Sequence, residues 1–180
     1  MLLSIQQRYI LETLRKLRCL RDGQIFQLVR EQFRPRGMEI TEKRMDIMLR
    51  QLRGINNDIR MDGGLVYLAG VQPDTRRLEA IDVMLELTKG APGSFGCVNA
   101  PAPFLLRFSL GDADRRYFAV GTLSSAGGEY LRWLEQGGPG RVIWISDSGA
   151  PPDGLILPAK HFFAARQSDG THRFYGPQGA

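Results

Sequence analysis

Residues 57–68 hold the feature that most narrows what this chain can fold into. Two short β-prone runs, Asn57-Asp-Ile-Arg-Met61 and Leu65-Val-Tyr-Leu68, flank Asp62-Gly63-Gly64. An Asp-Gly pair between such runs is the strongest short-range signal for a tight β-hairpin. What matters next is the kind of structure the hairpin closes.

Three helical patterns precede it. Ser4 and Gln7 form an S-x-x-Q capping box, which predicts a helix from Ile5 to about Cys19–Leu20. Ile10, Leu14 and Leu17 make its buried stripe, with Leu3 one turn before Gln7. Asp22 is the next N-cap candidate, opening a helix to Phe33 with Ile25, Leu28 and Val29 inside. Arg34-Pro35-Arg36-Gly37 breaks it. Thr41 caps a third helix from Glu42 to about Arg53, with Met45, Met48, Leu49 and Leu52 as core and Gly54 as its stop. Lys43, Ile47 and Arg50 point the opposite way, flanked by Arg44 and Gln51.

Three helices and a closing hairpin within about seventy residues are the plan of a winged helix-turn-helix. In that plan the third helix enters the major groove and the wing touches the adjacent backbone or minor groove. The candidate DNA contacts are therefore Lys43, Arg44, Ile47, Arg50, Gln51 and, in the wing, Arg60. Glu42 and Asp46 dilute the positive potential of the helix, and some winged helices bind proteins instead of nucleic acid.

Charge supports a polyanion partner once it is divided. Residues 1–70 carry 13 basic and 8 acidic side chains (+5), and residues 71–180 carry 11 and 11 (zero). The whole net charge of +5 thus lies in the N-terminal part, as expected for a localised nucleic-acid surface. Arginine makes up 20 of the 24 basic residues, a bias that GC-rich coding also produces. No run approaches the roughly 18 apolar residues of a membrane span, and the start Met-Leu-Leu-Ser meets Gln6, Gln7 and Arg8 without a signal-peptide apolar region. The expectation is a cytosolic protein with two unpaired thiols, Cys19 in a helical pattern and Cys97 in a loop.

Val71-Gln-Pro73-Asp74 marks the expected boundary between a winged-helix unit, 1–71, and a small α/β unit, 72–180. Asp74 caps a helix from Thr75 to about Lys89 whose broad apolar face suits a place between the two. Gly90-Ala-Pro-Gly-Ser then breaks the chain. Strands are expected over 104–110, 116–123, 141–146, 161–166 and 171–175, with a short helix over 127–136. The apolar run at 141–146 belongs at the centre of a sheet, and Ser168-Asp169-Gly170 makes a second hairpin. The fold class is α+β, with a mixed or antiparallel sheet in the second unit.

That element order also describes the core of restriction-endonuclease-like nucleases, whose chemistry needs clustered carboxylates for Mg²⁺ and usually a lysine. Asp112 and Asp114 fall in a turn, no Asp/Glu-x-Lys occurs in residues 71–180, and the only lysines there are Lys89 and Lys160. His161 and His172 have no cysteine or acidic spacing typical of zinc. Ser124-Ser125 and Gly127-Gly128 come without a Walker or dinucleotide fingerprint. Trp133 and Trp144 read as core. The expectation is no catalytic residue, no metal and no cofactor.

With this basic winged helix and small α/β tail, the chain resembles bacterial proteins carried on mobile or conjugative elements. It is distantly similar to the replication-relaxation family of plasmid proteins, over Tyr9–Leu20, Asp22–Phe33, Met45–Leu52 and the Leu65–Leu68 wing. There an N-terminal winged helix precedes a nuclease-like domain that has often lost its acids. The resemblance implies plasmid or transposon DNA transactions, and it carries over no catalytic residue. The expected role is a non-enzymatic DNA-binding protein, regulatory (including transcription regulation) or accessory. Its second unit would pair subunits as a homodimer or recruit a protein partner. The alternatives are a protein-interaction module and a diverged nuclease.

Overall fold

Helix α1 (Ile5–Leu17) starts where the capping box places it. The Gln7 N–H donates to Ser4 Oγ at 3.1 Å and the Ser4 N–H to Gln7 Oε1 at 3.0 Å, so two otherwise unpaired donors are satisfied. The structure is a computed structural model and describes residues 2–97, 104–111, 116–122, 141–146 and 160–176.

α1 ends earlier than expected. Arg18 turns to φ 69° and the chain enters a short strand, β1 (Cys19–Arg21), so Cys19 lies on a strand rather than in a helix. α2 (Asp22–Phe33) follows at once. Arg21, not Asp22, holds the cap position, and its N–H donates to Gln24 Oε1 at 2.9 Å. After a 3₁₀ turn at Arg34–Arg36, α3 (Glu42–Ile55) begins at Thr41, whose hydroxyl accepts the Arg44 N–H at 3.2 Å. Gly54 does not stop α3, because the Asn56 N–H still reaches Leu52 O at 2.8 Å.

Strands β2 (Ile59–Asp62) and β3 (Leu65–Leu68) form the expected hairpin, with Asp62 opposite Leu65. Gly63 and Gly64 both have positive φ (55° and 77°), as a tight two-residue turn of this type demands. β1 adds to the hairpin, giving an antiparallel sheet in the order β1-β3-β2. The Asp22 N–H donates to Gly64 O at 2.9 Å, tying the hairpin tip to the start of α2.

α4 (Thr75–Thr88) is capped by Asp74, which accepts the Arg76 N–H at 3.0 Å. A second sheet has six strands in chain order: β4 (Pro92–Cys97), β5 (Phe104–Leu110), β6 (Arg116–Thr122), β7 (Val142–Ser146), β8 (His161–Arg166) and β9 (His172–Tyr175). The sheet is mixed, with β6–β7 and β7–β8 parallel and the other pairs antiparallel. β7 is buried along its whole length between β6 and β8, as its apolar run requires.

β4 falls where a break and a loop were expected, and it carries Cys97. It survives as an edge strand, a place that tolerates proline, with its register broken between Pro92 and Phe95. A Cβ on Gly93 would meet Gly111 O at 2.6 Å, so this edge needs glycine. The segment 127–136, Ser124, Ser125, Trp133, Asp112 and Asp114 lie outside the described residues. The molecule is thus α+β, with four helices and two sheets among the described residues.

A single apolar core runs through both parts of the chain. It joins Ile10, Leu20 and Leu28 to Val83 and Met84 of α4, and then to Phe108, Val120 and Ile145 of the large sheet. α4 therefore lies between the two parts, as its broad apolar face predicts. The opposite sheet face carries a second cluster of Phe104, Ala119, Val142, Trp144 and Phe163. No described helix is long and apolar enough to cross a membrane.

The end of α4 offers a simple stability test. Lys89 is exposed yet sits in the left-handed region (φ 52°, ψ 36°), where a Cβ is unfavourable. Lys89→Gly should raise unfolding stability by about 0.5–1 kcal/mol in urea titration; a loss would show that the lysine stem packs usefully there.

Candidate nucleic-acid interface

α3 buries Met45, Met48, Leu49 and Leu52 and turns Lys43, Arg44, Ile47, Arg50 and Gln51 outward. At about 100° per residue the exposed arc is centred on Lys43 and Gly54, with Ile47 and Arg50 about 30° to either side, Gln51 and Arg44 toward one margin and Asp46 and Arg53 toward the other. Ile47 is 46% exposed. α3 packs on α1 and β2, whereas the large sheet reaches the first seventy residues through α1 and α4. Among the described residues, then, the outer face of α3 is open.

The expected contacts differ in how free they are. Lys43 makes no ion pair or hydrogen bond among the described residues. Arg50 is forked onto Asp46 one turn earlier, at 2.9 Å (Nη2–Oδ2) and 3.1 Å (Nε–Oδ1). Arg44 donates to Glu39 O at 3.3 Å. Gln51 Oε1 accepts Gln7 Nε2 at 3.0 Å, which leaves the Gln51 amide N–H groups to donate elsewhere. Arg60 is exposed on β2 but folds back onto the carbonyls of Asn57 and Ile59. Five of the six thus lie on the outward arc of α3 and the sixth, Arg60, on β2, with Lys43 the least restrained of the cations.

Arg53 was not among the expected contacts. It is exposed in the last turn of α3, and its signal was its place one turn beyond Arg50. On the same flank, toward the start of α3, a groove between α2 and α3 gathers Asp22, Glu42 and Asp46 around Phe26, Met45 and Met61. These carboxylates set a negative border to the basic face.

A second polar assembly lies where the two parts meet. His172 on β9 is buried with no side-chain exposure. Its Nδ1 lies 2.8 Å from Glu86 Oε1, its Nε2 3.4 Å from Glu79 Oε1, and its N–H donates to Glu86 Oε2 at 3.0 Å. Burial pushes the imidazole pKa down, but hydrogen bonds and charge from Glu79 and Glu86 push it further up, so the net direction is upward. The bond from His172 holds Glu79 below the usual carboxylate range. Between these glutamates on α4, Asp82 takes the Arg21 guanidinium and the Gln24 amide, the latter at 2.6 Å. Gln24 also donates to Leu78 O at 2.7 Å.

The two histidines do not approach one another across the terminal hairpin. His172 stands opposite Arg166, whereas His161 is at the far end of β8, where Nδ1 accepts the Trp144 indole N–H at 3.2 Å. Burial lowers the His161 pKa. Trp144 is core, as expected. Cys19 and Cys97 are free, and burial pushes both thiols up.

Among the described residues no group of three or more His, Cys, Asp or Glu is placed to hold a metal ion. None of the six strands of the large sheet carries an Asp or Glu. No protein-family model matches the chain, and no curated protein or solved structure matches it significantly.

Proposed function

We propose that the chain binds duplex DNA through α3 and the β2–β3 hairpin, as a winged helix-turn-helix. It would act without catalysis as a regulatory or accessory protein in plasmid or mobile-element DNA transactions. The observation that carries this reading is the order α1-β1-α2-α3-β2-β3, with the basic outer row of α3 left open beside the hairpin. The confinement of the net charge of +5 to residues 1–70 supports it. The absence of carboxylates from β5 and β6 supports a role other than cleavage, because adjacent strands carry the metal-binding acids of a restriction-endonuclease-like core.

A second reading, protein-partner binding by the same face, is favoured by specific features. Arg50 and Arg60 are already engaged, the adjoining groove is acidic, and Ile47 and Ile55 are each 46% exposed.

Titration of the full chain against labelled duplex across a salt series separates the two. DNA binding predicts affinity that falls steeply with salt, at a log–log slope of about −0.9 per phosphate contacted. Lys43→Ala and Arg53→Ala should each reduce that slope by about one. Asp46→Ala, which frees Arg50, should tighten binding. Absent or salt-independent binding would remove the DNA reading and leave the partner reading.

A further inference from the structure

We propose that Ile47 reads thymine methyl groups in the major groove, making α3 prefer A·T-containing sites. This rests on the duplex-binding reading above and adds what the helix recognises.

The outer arc of α3 is a basic field that holds one half-exposed aliphatic side chain, Ile47. Lys43 and Gly54 lie at the middle of the arc, with Ile47 and Arg50 about 30° to either side, and Ile47 sits at mid-length of the helix, one turn beyond Lys43 and one turn before Gln51. Nothing lies within 4 Å of the position a Cβ would take on Gly54, so the helix axis can come close to a flat partner there. Long flexible cations on the arc reach past its edges to phosphates, whereas the short branched side chain of Ile47 stays at the helix surface, level with the base edges.

Two of the arginines that could read bases are held by the protein: Arg50 is forked onto Asp46 and Arg44 is bonded to Glu39 O, while Lys43 and the Gln51 amide N–H groups are left to donate. Drawing a bidentate contact from Arg50 onto guanine would take it from Asp46, leaving that carboxylate beside those of Asp22 and Glu42 without its counter-charge. Ile47 has no such competing bond. Thymine is the one unmodified base that presents a methyl group, at C5, in the major groove. Removing a half-exposed isoleucine and that methyl from water together is favourable, and no donor or acceptor is left unmatched.

The test uses the full chain and defined duplexes: an alternating A·T duplex, the same duplex with uracil for thymine, an alternating G·C duplex, and that duplex with 5-methylcytosine. Uracil removes only the C5 methyl and keeps pairing and phosphates. 5-Methylcytosine restores a methyl at the same groove position. The uracil duplex should bind about fourfold more weakly per contacted methyl, and the methylated G·C duplex more tightly than its parent. In Ile47→Ala, whose fold is checked by circular dichroism, thymine and uracil duplexes should bind alike.

Equal binding of thymine and uracil duplexes by the intact protein would overturn the methyl reading while leaving duplex binding intact. Discrimination that persists in Ile47→Ala would overturn the role of that residue. Failure to bind any of the four duplexes would overturn the duplex-binding reading itself.

Discussion

Glu86→Ala should cost about 2–4 kcal/mol of stability, because it leaves His172 buried with its ring nitrogen and its backbone N–H both unmatched. Replacing His172, Glu79 and Glu86 together by apolar residues of similar shape should recover part of that loss, since the remaining cost is unpaired polarity. Dependence on pH follows from the two shifts. The raised His172 pKa gives a contribution that is whole below the free histidine value, near 6.5, and is lost as pH rises through the folded value. The lowered Glu79 pKa gives one that is whole above the free carboxylate value and is lost as pH falls through the folded value. Both are present between roughly pH 5 and 6.5, so urea midpoints should peak there. In His172→Gln the alkaline decline should flatten; an unchanged decline would assign it to another group.

Phe108→Ala should be comparably severe, at about 3–5 kcal/mol, because Phe108 is fully buried and stacks on Phe118 with ring centroids 5.5 Å apart. The more telling result is where the loss is felt. Phe108 belongs to the same core as Ile10, Leu20 and Leu28 of the first seventy residues. Both tryptophans, Trp133 and Trp144, lie beyond residue 71, so fluorescence reports on the second part while helix circular dichroism includes α1, α2 and α3. The two signals should move together to one lower midpoint. A drop in the fluorescence midpoint alone would mean that the shared core does not couple the parts energetically.

The elements that could be read in advance are those with local causes. Ser4 with Gln7, Thr41 and Asp74 each satisfy amide donors within the next few residues, and Gly63-Gly64 supplies its own turn. β1 and β4 have no such local signature. Cys19-Leu20-Arg21 is a strand because β3, which follows α2 and α3, pairs with it; Pro92–Cys97 pairs with the next strand, β5, but its proline and two glycines leave no strand pattern to read. By residue type Gly54 reads as a stop, but α3 passes through it while its φ stays negative. The outward set on α3 followed from helical spacing, and the Asp46–Arg50 pair was available as an i,i+4 pair. The bonds that restrain Gln51 and Arg60 were not available, because they depend on side-chain paths and on α1 lying beside α3. The His172 assembly draws on β9 and α4, and its neighbouring Arg21 and Gln24 on β1 and α2, a convergence only tertiary structure creates.

The bond from the Asp22 N–H to Gly64 O fixes the hairpin tip against the start of α2 in the free protein. On the DNA-binding reading such a hairpin is a gauge with a preset opening, with little ordering entropy left to lose when it meets the backbone beside α3. The duplex must instead conform to the gauge, so the mechanical stiffness of a site should weigh in its affinity alongside its bases.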